Sequence, residues 1–173
     1  MGKRIAIVGV GAVGGYTGAY MVRAGEDVTF HRFLAGACRR DEAERPSHHP
    51  RPGRGAVHAQ GKRPACDRGS ASFERASIDI AFVCTKSYDI HWAALLMRQY
   101  LAPGSYVVSL QNCMNQATIA EVVGWGKTMG CIASNISVGL VEPGHVHRGG
   151  VKGDAAHTVY RTGEIQGNHR AGA

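Results

Sequence analysis

The residues best placed to do chemistry begin with a glycine cluster. GVGAVG, residues 9–14, follows the pattern GxGxxG. In such a loop Gly9 permits a tight turn after a strand, Gly11 lets backbone approach a pyrophosphate, and Gly14 lets the next helix pack close to a sheet. The N–H groups where that helix starts, at Ala12 and Val13, then face phosphates with the positive end of the helix dipole behind them. Further polar pairs stand just beyond apolar runs: His31-Arg32 after DVTF, Lys86-Ser87 after IDIAFVCT, and Gln111-Asn112 after SYVVSL. Binders of NAD place Asp or Glu at the end of the second strand, on the ribose 2′-OH. Here that place holds His31-Arg32, and the next acids along the chain are Asp41 and Glu42. A guanidinium grips a 2′-phosphate that a carboxylate would repel, so the expected cofactor is NADP(H), with Arg32 as its selector.

These groups need elements to hold them. KRIAIVG (3–9) reads as a buried strand and AVGGYTGAYMVRA (12–24) as a helix, with Val13, Tyr16, Tyr20 and Ala24 at helical spacing and Gly25 as its stop. DVTFH (27–31) is a second strand, which completes a βαβ unit. Strands follow at 78–84 and 105–110, with a helix from Asp89 to Leu101 whose apolar face is Ile90, Ala93, Ala94, Met97, Tyr100 and Leu101. Pro103-Gly104 is the expected turn between them, and a short helix spans Asn115 to Val123 before Gly124. TMGCIASNISVGL (128–140) is strand-like, and VEPGHVHRGG with HTVYRTGE reads as a polar β-hairpin. The fold class expected is α/β: a Rossmann-like, doubly wound, mostly parallel sheet with a C-terminal β-hairpin. Ligands of such sheets bind outside the carboxyl ends of the strands, where the glycine loop, Lys86 and Asn112 would converge.

Composition narrows the partners. The chain has 173 residues, a net charge of +7, 24 Gly and 5 Cys. Cysteines so few and scattered exclude a disulfide scaffold and point to a reduced, cytoplasmic chain. The charge is uneven. Residues 33–76 hold nine Lys and Arg against five acids, four of the six Pro, and only four Leu, Ile, Val or Phe. That segment fits neither a helix nor a strand period, and reads as an irregular basic loop. It lacks the interleaved aromatics of a nucleic-acid arm, so nucleic acid is a distant alternative partner. Its Arg, Pro, Gly, Ala and His are also what a GC-rich gene yields when read out of frame; the nucleotide sequence decides between these readings. The domain is expected over 1–165, interrupted by 33–76, with an unstructured tail at 166–173. Uncharged residues 5–22 imitate a signal peptide or short membrane span, but glycines interrupt them and no leucine-rich centre exists. No membrane partner is expected, while an exposed domain face would allow a homo-oligomer.

Other candidates weigh less. His145 and His147 alternate onto one strand face without a third ligand at a metal spacing, so they read as surface histidines and no metal is expected. Cys84 and Cys131 lie in apolar strands and read as inert core thiols, whereas Cys113 adjoins the expected crevice. Trp92 and Trp125 are expected to cover the sheet.

Taken together, GVGAVGGY, CTKSYD and SLQNCMN, in this order and spacing, resemble the N-terminal half of the ketopantoate reductase (2-dehydropantoate 2-reductase) family. The resemblance covers residues 1–32 and 77–165. It implies an NADPH-binding domain and a 2-oxo acid substrate, with Lys86 and Asn112 as catalytic residues beside nicotinamide and substrate, and Arg32 as the 2′-phosphate ligand. Cys113 stands where the family usually has glycine. The family also continues into an all-helical domain that supplies a catalytic lysine and a substrate-holding glutamate. That domain is absent from this sequence, so the expectation is a nucleotide-binding half with little or no reductase activity of its own. The alternative is a non-catalytic NADP(H)-binding module.

Overall fold

A computed structural model describes residues 2–31, 56–58, 77–134, 136–142, 145–149 and 159–165. The main sheet is built from β1 (Arg4–Val8), β2 (Asp27–His31), β4 (Ile78–Val83), β5 (Leu101–Ser109), β6 (Thr128–Ser134) and β9 (Val159–Glu164). Their order is β2-β1-β4-β5-β6-β9, and every neighbouring pair is parallel except β6 with β9. A second, antiparallel sheet has β3 (Ala56–His58), β8 (His145–Arg148) and β7 (Val138–Glu142) in that order. Among the described residues the helices are α1 (Ala12–Arg23), α2 (Ile90–Arg98) and α3 (Gln116–Val123). This is the expected Rossmann-like architecture, with a C-terminal hairpin formed by β7 and β8.

Both faces of the central strands are covered, which is why they read as unbroken apolar runs. On β1 the period of two divides the load. Ile5 and Ile7 meet Ala19, Val28 and Phe30 under α1, while Ala6 and Val8 join the cluster of Ala81, Val83, Ile90, Met97 and Ile119 under α2 and α3. The predicted face of α2 is the buried one: Ile90, Ala93, Ala94 and Met97 are buried, as is Tyr100 just beyond.

The structure corrects α1. Its spacing of Tyr16 and Tyr20 suggests a core stripe of large residues, yet Tyr20 is exposed and the side toward the sheet is made of glycine. A Cβ on Gly18 would run into the Phe30 ring and come within 3.1 Å of Ile7 Cγ1. The opposite side of α1 is covered as well. Val146 of β8 would sit 3.1 Å from a Cβ on Gly15, and Arg148 Nη1 donates to Tyr16 Oη at 3.2 Å. A helix held between two sheets leaves little room for side chains, so its sequence is rich in glycine.

Other differences follow from strand edges. VEPGHVHRGG closes a hairpin within itself and with β7, whereas the HTVYRTGE segment leaves it and pairs with β6, the exposed end of the parallel set. The hydroxyls of Thr17 and Tyr160 lie 3.1 Å apart, tying that added strand back to α1. Residues 128–140 are two strands, not one, and β6 and β7 join different sheets. Pro103-Gly104 lies inside β5, where the register jumps from Ile78↔Leu101 to Ile80↔Tyr106; the turn is absorbed as a bulge. Within the basic segment, Ala56–His58 does form a strand against β8; the rest of 33–76, and the tail at 166–173, lie outside the described residues. No helix among the described residues is long and apolar enough to cross a membrane. Trp92 is 50% exposed on α2 and does not cover the sheet, while Trp125 is half-buried.

Candidate functional site

The parallel strands all deliver their loops to one edge. Gly9 follows β1, and its N–H donates to the carbonyl of His31 at 3.0 Å, so the ends of β1 and β2 are joined there. Gly9 has φ +94°, and a Cβ would lie 2.6 Å from the backbone nitrogen of Thr85, a position only glycine fills. A Cβ on Gly14 would collide with the Gly9 carbonyl and approach Cys84 Cβ at 2.9 Å. These two glycines serve the chain's own packing: one lets the loop turn against β4, the other lets α1 settle upon it.

Gly11 is different. It is exposed, has an ordinary extended φ of −84°, and a Cβ there would meet nothing within 4 Å among the described residues. Nothing among the described residues requires glycine at this position. What the missing side chain leaves is open space over the start of α1. That start is bare: Gly11 as N-cap offers no side-chain hydrogen bond, and no acidic residue sits in the first turn. The amides of Ala12 and Val13 begin the helix, and unsatisfied N–H groups with the positive dipole end form a seat for an anion. The cradle therefore fits a pyrophosphate.

Lys86 and Asn112 lie on the two loops beside it, both exposed. The loops are tied together. Gln111 Nε2 donates to the Thr85 carbonyl at 2.7 Å, while Ser109 Oγ donates to Gln111 Oε1 at 3.1 Å. Asn115 Nδ2 donates to the Asn112 carbonyl at 2.7 Å and to Ser87 Oγ at 3.3 Å. Cys113, exposed on the same loop, has φ +70°, the one non-glycine residue with positive φ among those described. A glycine would take that conformation without strain, which is the physical content of the departure noted in the sequence.

The structure thus brings Gly9, Gly11, Ala12, Val13, Gly14, Lys86 and Asn112 to one edge of the sheet. Arg32 lies outside the described residues. His31, just before it, has its imidazole held below the ordinary 6.5 by burial. The Cys84 thiol is pushed up to about 12, chiefly by burial with a smaller contribution from Cys131. His145 Nδ1 pairs with Glu142 Oε1 at 3.3 Å, and no group of three or more His, Cys, Asp or Glu placed to hold a metal exists among the described residues. A hollow of about 300 Å³ lined by Arg98, Leu101, Val122, Val123 and Lys127 opens at the other edge, where β5 and β6 begin. Sequence reasoning missed Ser109, Gln111 as a tie, and Asn115. A serine ending the apolar run YVVS was the available signal.

Known proteins share this fold. A family model described as ketopantoate reductase PanE/ApbA matches residues 5–157. No curated protein matches the chain. Among solved structures, a PanE/ApbA family ketopantoate reductase from Ralstonia eutropha JMP134 is 26% identical, with a TM-score of 0.62 over 85% of this chain and 46% of that one. A 2-dehydropantoate 2-reductase from Geobacter metallireducens GS-15 is 25% identical, with a TM-score of 0.66 over 94% of this chain and 50% of that one. A D-mandelate dehydrogenase solved with NADH is 16% identical, with a TM-score of 0.67 over 97% of this chain and 49% of that one; that likeness is one of fold alone. The chain spans about half the length of these structures.

Proposed function

The chain belongs to the ketopantoate reductase family, and from that premise we propose that it is the cofactor-binding part of an NADPH-dependent 2-dehydropantoate 2-reductase. The observation that carries this reading is the uncapped start of α1 under open space at Gly11, adjoining the loops of Lys86 and Asn112. In this reading the amides of Ala12 and Val13 hold the pyrophosphate, and Gly11 admits it. Arg32 takes the 2′-phosphate and sets the preference for NADPH over NADH. When bound, NADPH would supply the hydride that reduces the C2 ketone of 2-dehydropantoate, and a proton from an acid or from water would complete the alcohol of pantoate. Lys86 presents its ammonium to the substrate's anionic groups and developing oxyanion, and Asn112 orients nicotinamide and ketone with its amide.

Titration of the full chain with both cofactors tests the binding half of the proposal. NADPH is expected to bind tighter than NADH by about tenfold or more, and Arg32→Ala is expected to abolish the difference. Oxidation of NADPH in the presence of 2-dehydropantoate tests the reductase half. Binding without turnover would leave a non-catalytic NADP(H)-binding module. Binding of neither cofactor would overturn the proposal.

A further inference from the structure

Lys86 is flanked by two residues that are both tied to the neighbouring loop. On one side the Thr85 carbonyl accepts from Gln111 Nε2 at 2.7 Å; on the other, Ser87 Oγ accepts from Asn115 Nδ2 at 3.3 Å. The same Asn115 amide donates to the Asn112 carbonyl at 2.7 Å. Gln111 is itself oriented, because buried Ser109 donates to its Oε1 at 3.1 Å. One backbone hydrogen bond, from Leu110 N–H to the Val83 carbonyl at 3.0 Å, is the last main-chain link before the loops part. Beyond it, among the described residues, the links between them are the side-chain bonds of Gln111 and Asn115.

We propose that Gln111 and Asn115 are positioning residues: two side-chain amides that fix the distance and direction between Lys86 and Asn112. This rests on the cofactor-binding reading above. The physical reason is that Lys86 and Asn112 are exposed on loops past the ends of their strands, where the ladder no longer holds them. A long ammonium and a short amide can act on one ligand only if their backbones keep a set separation, and small displacements there weaken both contacts. Asn115 is suited to this because its side chain caps no helix N–H of α3, although it occupies the N-cap position; its amide is turned to the two loops instead.

The clamp acts on the nicotinamide side and not on the phosphate cradle, which gives a test separable from the reading beneath it. Binding of NADPH and of 2′-phospho-ADP-ribose, which lacks nicotinamide, is measured for the full chain and its variants. Asn115→Ala is expected to weaken NADPH by about three- to tenfold and to leave the fragment unchanged. Gly11→Ala weakens both ligands. The double variant Asn112→Ala/Asn115→Ala binds NADPH no more weakly than Asn112→Ala alone, because Asn115 reaches the nicotinamide through Asn112. Asn115→Asp keeps the size and the helix-terminal preference but cannot donate; it is expected to retain the wild-type melting temperature and still lose NADPH affinity. If Gly11→Ala weakens both ligands while Asn115→Ala weakens neither, or weakens both alike, the clamp is overturned and the cofactor-binding reading stands. If the wild-type chain binds neither ligand, both fall together.

Discussion

Gly11 and Gly14 belong to one motif, yet the structure gives them opposite jobs, and a pair of alanine substitutions separates them. At Gly11 the backbone is extended with φ −84°, and an added Cβ meets nothing within 4 Å. Alanine is a poorer N-cap than glycine, but it also restricts the unfolded chain by about 0.4–1 kcal/mol, so the net effect on stability is expected below about 1 kcal/mol. For a chain of this size that is a shift of no more than about 2–4 °C in melting temperature. At Gly14 the Cβ would strike the Gly9 carbonyl and lie 2.9 Å from Cys84 Cβ, so β1 and α1 must move apart. Overpacking of this kind costs about 1–3 kcal/mol or more, or roughly 2–12 °C. Binding reverses the order of interest. A methyl group at Gly11 occupies the approach to the helix amides and forfeits charge-assisted hydrogen bonds worth about 1.5–3 kcal/mol each, so NADPH affinity is expected to fall about a hundredfold. Thermal unfolding and NADPH titration on both variants decide the matter. A Gly11→Ala chain that binds NADPH as tightly as wild type, or that melts many degrees lower, would refute the division of labour.

Alkylation followed by peptide mapping should label Cys113, which is exposed, in the native chain, and spare Cys84 and Cys131, with Cys84 pushed up to about 12. Rapid native labelling of Cys84 would show that α1 does not seal it. Cys113→Gly removes a side chain from a residue at φ +70° and is expected to stabilise the fold by about 0.5–1 kcal/mol, seen as a higher denaturant midpoint; an unchanged or lower midpoint would remove the argument from strain. Burial depresses His31, so the unfolded chain takes up its proton first. The stability from neutral His31 is complete above its unfolded value of 6.5 and is lost as pH falls below that toward the lower folded value. Unfolding free energy of His31→Gln should therefore fall less than wild type across this window, and parallel pH profiles would contradict the burial of the imidazole.

Much of this was legible in the residues, and the failures have common causes. The face of α2 could be read because Ile90, Ala93, Ala94 and Met97 carry their burial in their side chains. The face of α1 could not, because Gly14 and Gly18 are buried by having none, and apolar periodicity is blind to glycine. Local pattern identified Val159–Glu164 as a strand but not its partner, since β6 lies 25 or more residues away and its exposed edge is a property of the assembled sheet. The loop glycines, Lys86 and Asn112 were visible as polar breaks after apolar runs. The amide ties of Gln111 and Asn115 were not, because they join residues 26 and 28 positions apart and depend on the side-by-side placement of β4 and β5.

In the reading proposed above, the start of α1 seats the cofactor's pyrophosphate, with Lys86 and Asn112 beside it. Backbone amide resonances of the full chain, followed during NADPH addition, test it most directly. Saturable shifts are expected, largest at Ala12 and Val13 and extending to Lys86 and residues 111–115, with residues near Arg98 and Lys127 at the opposite edge unmoved. Shifts centred on that opposite edge, or an α1 start that stays silent at saturating NADPH, would contradict it.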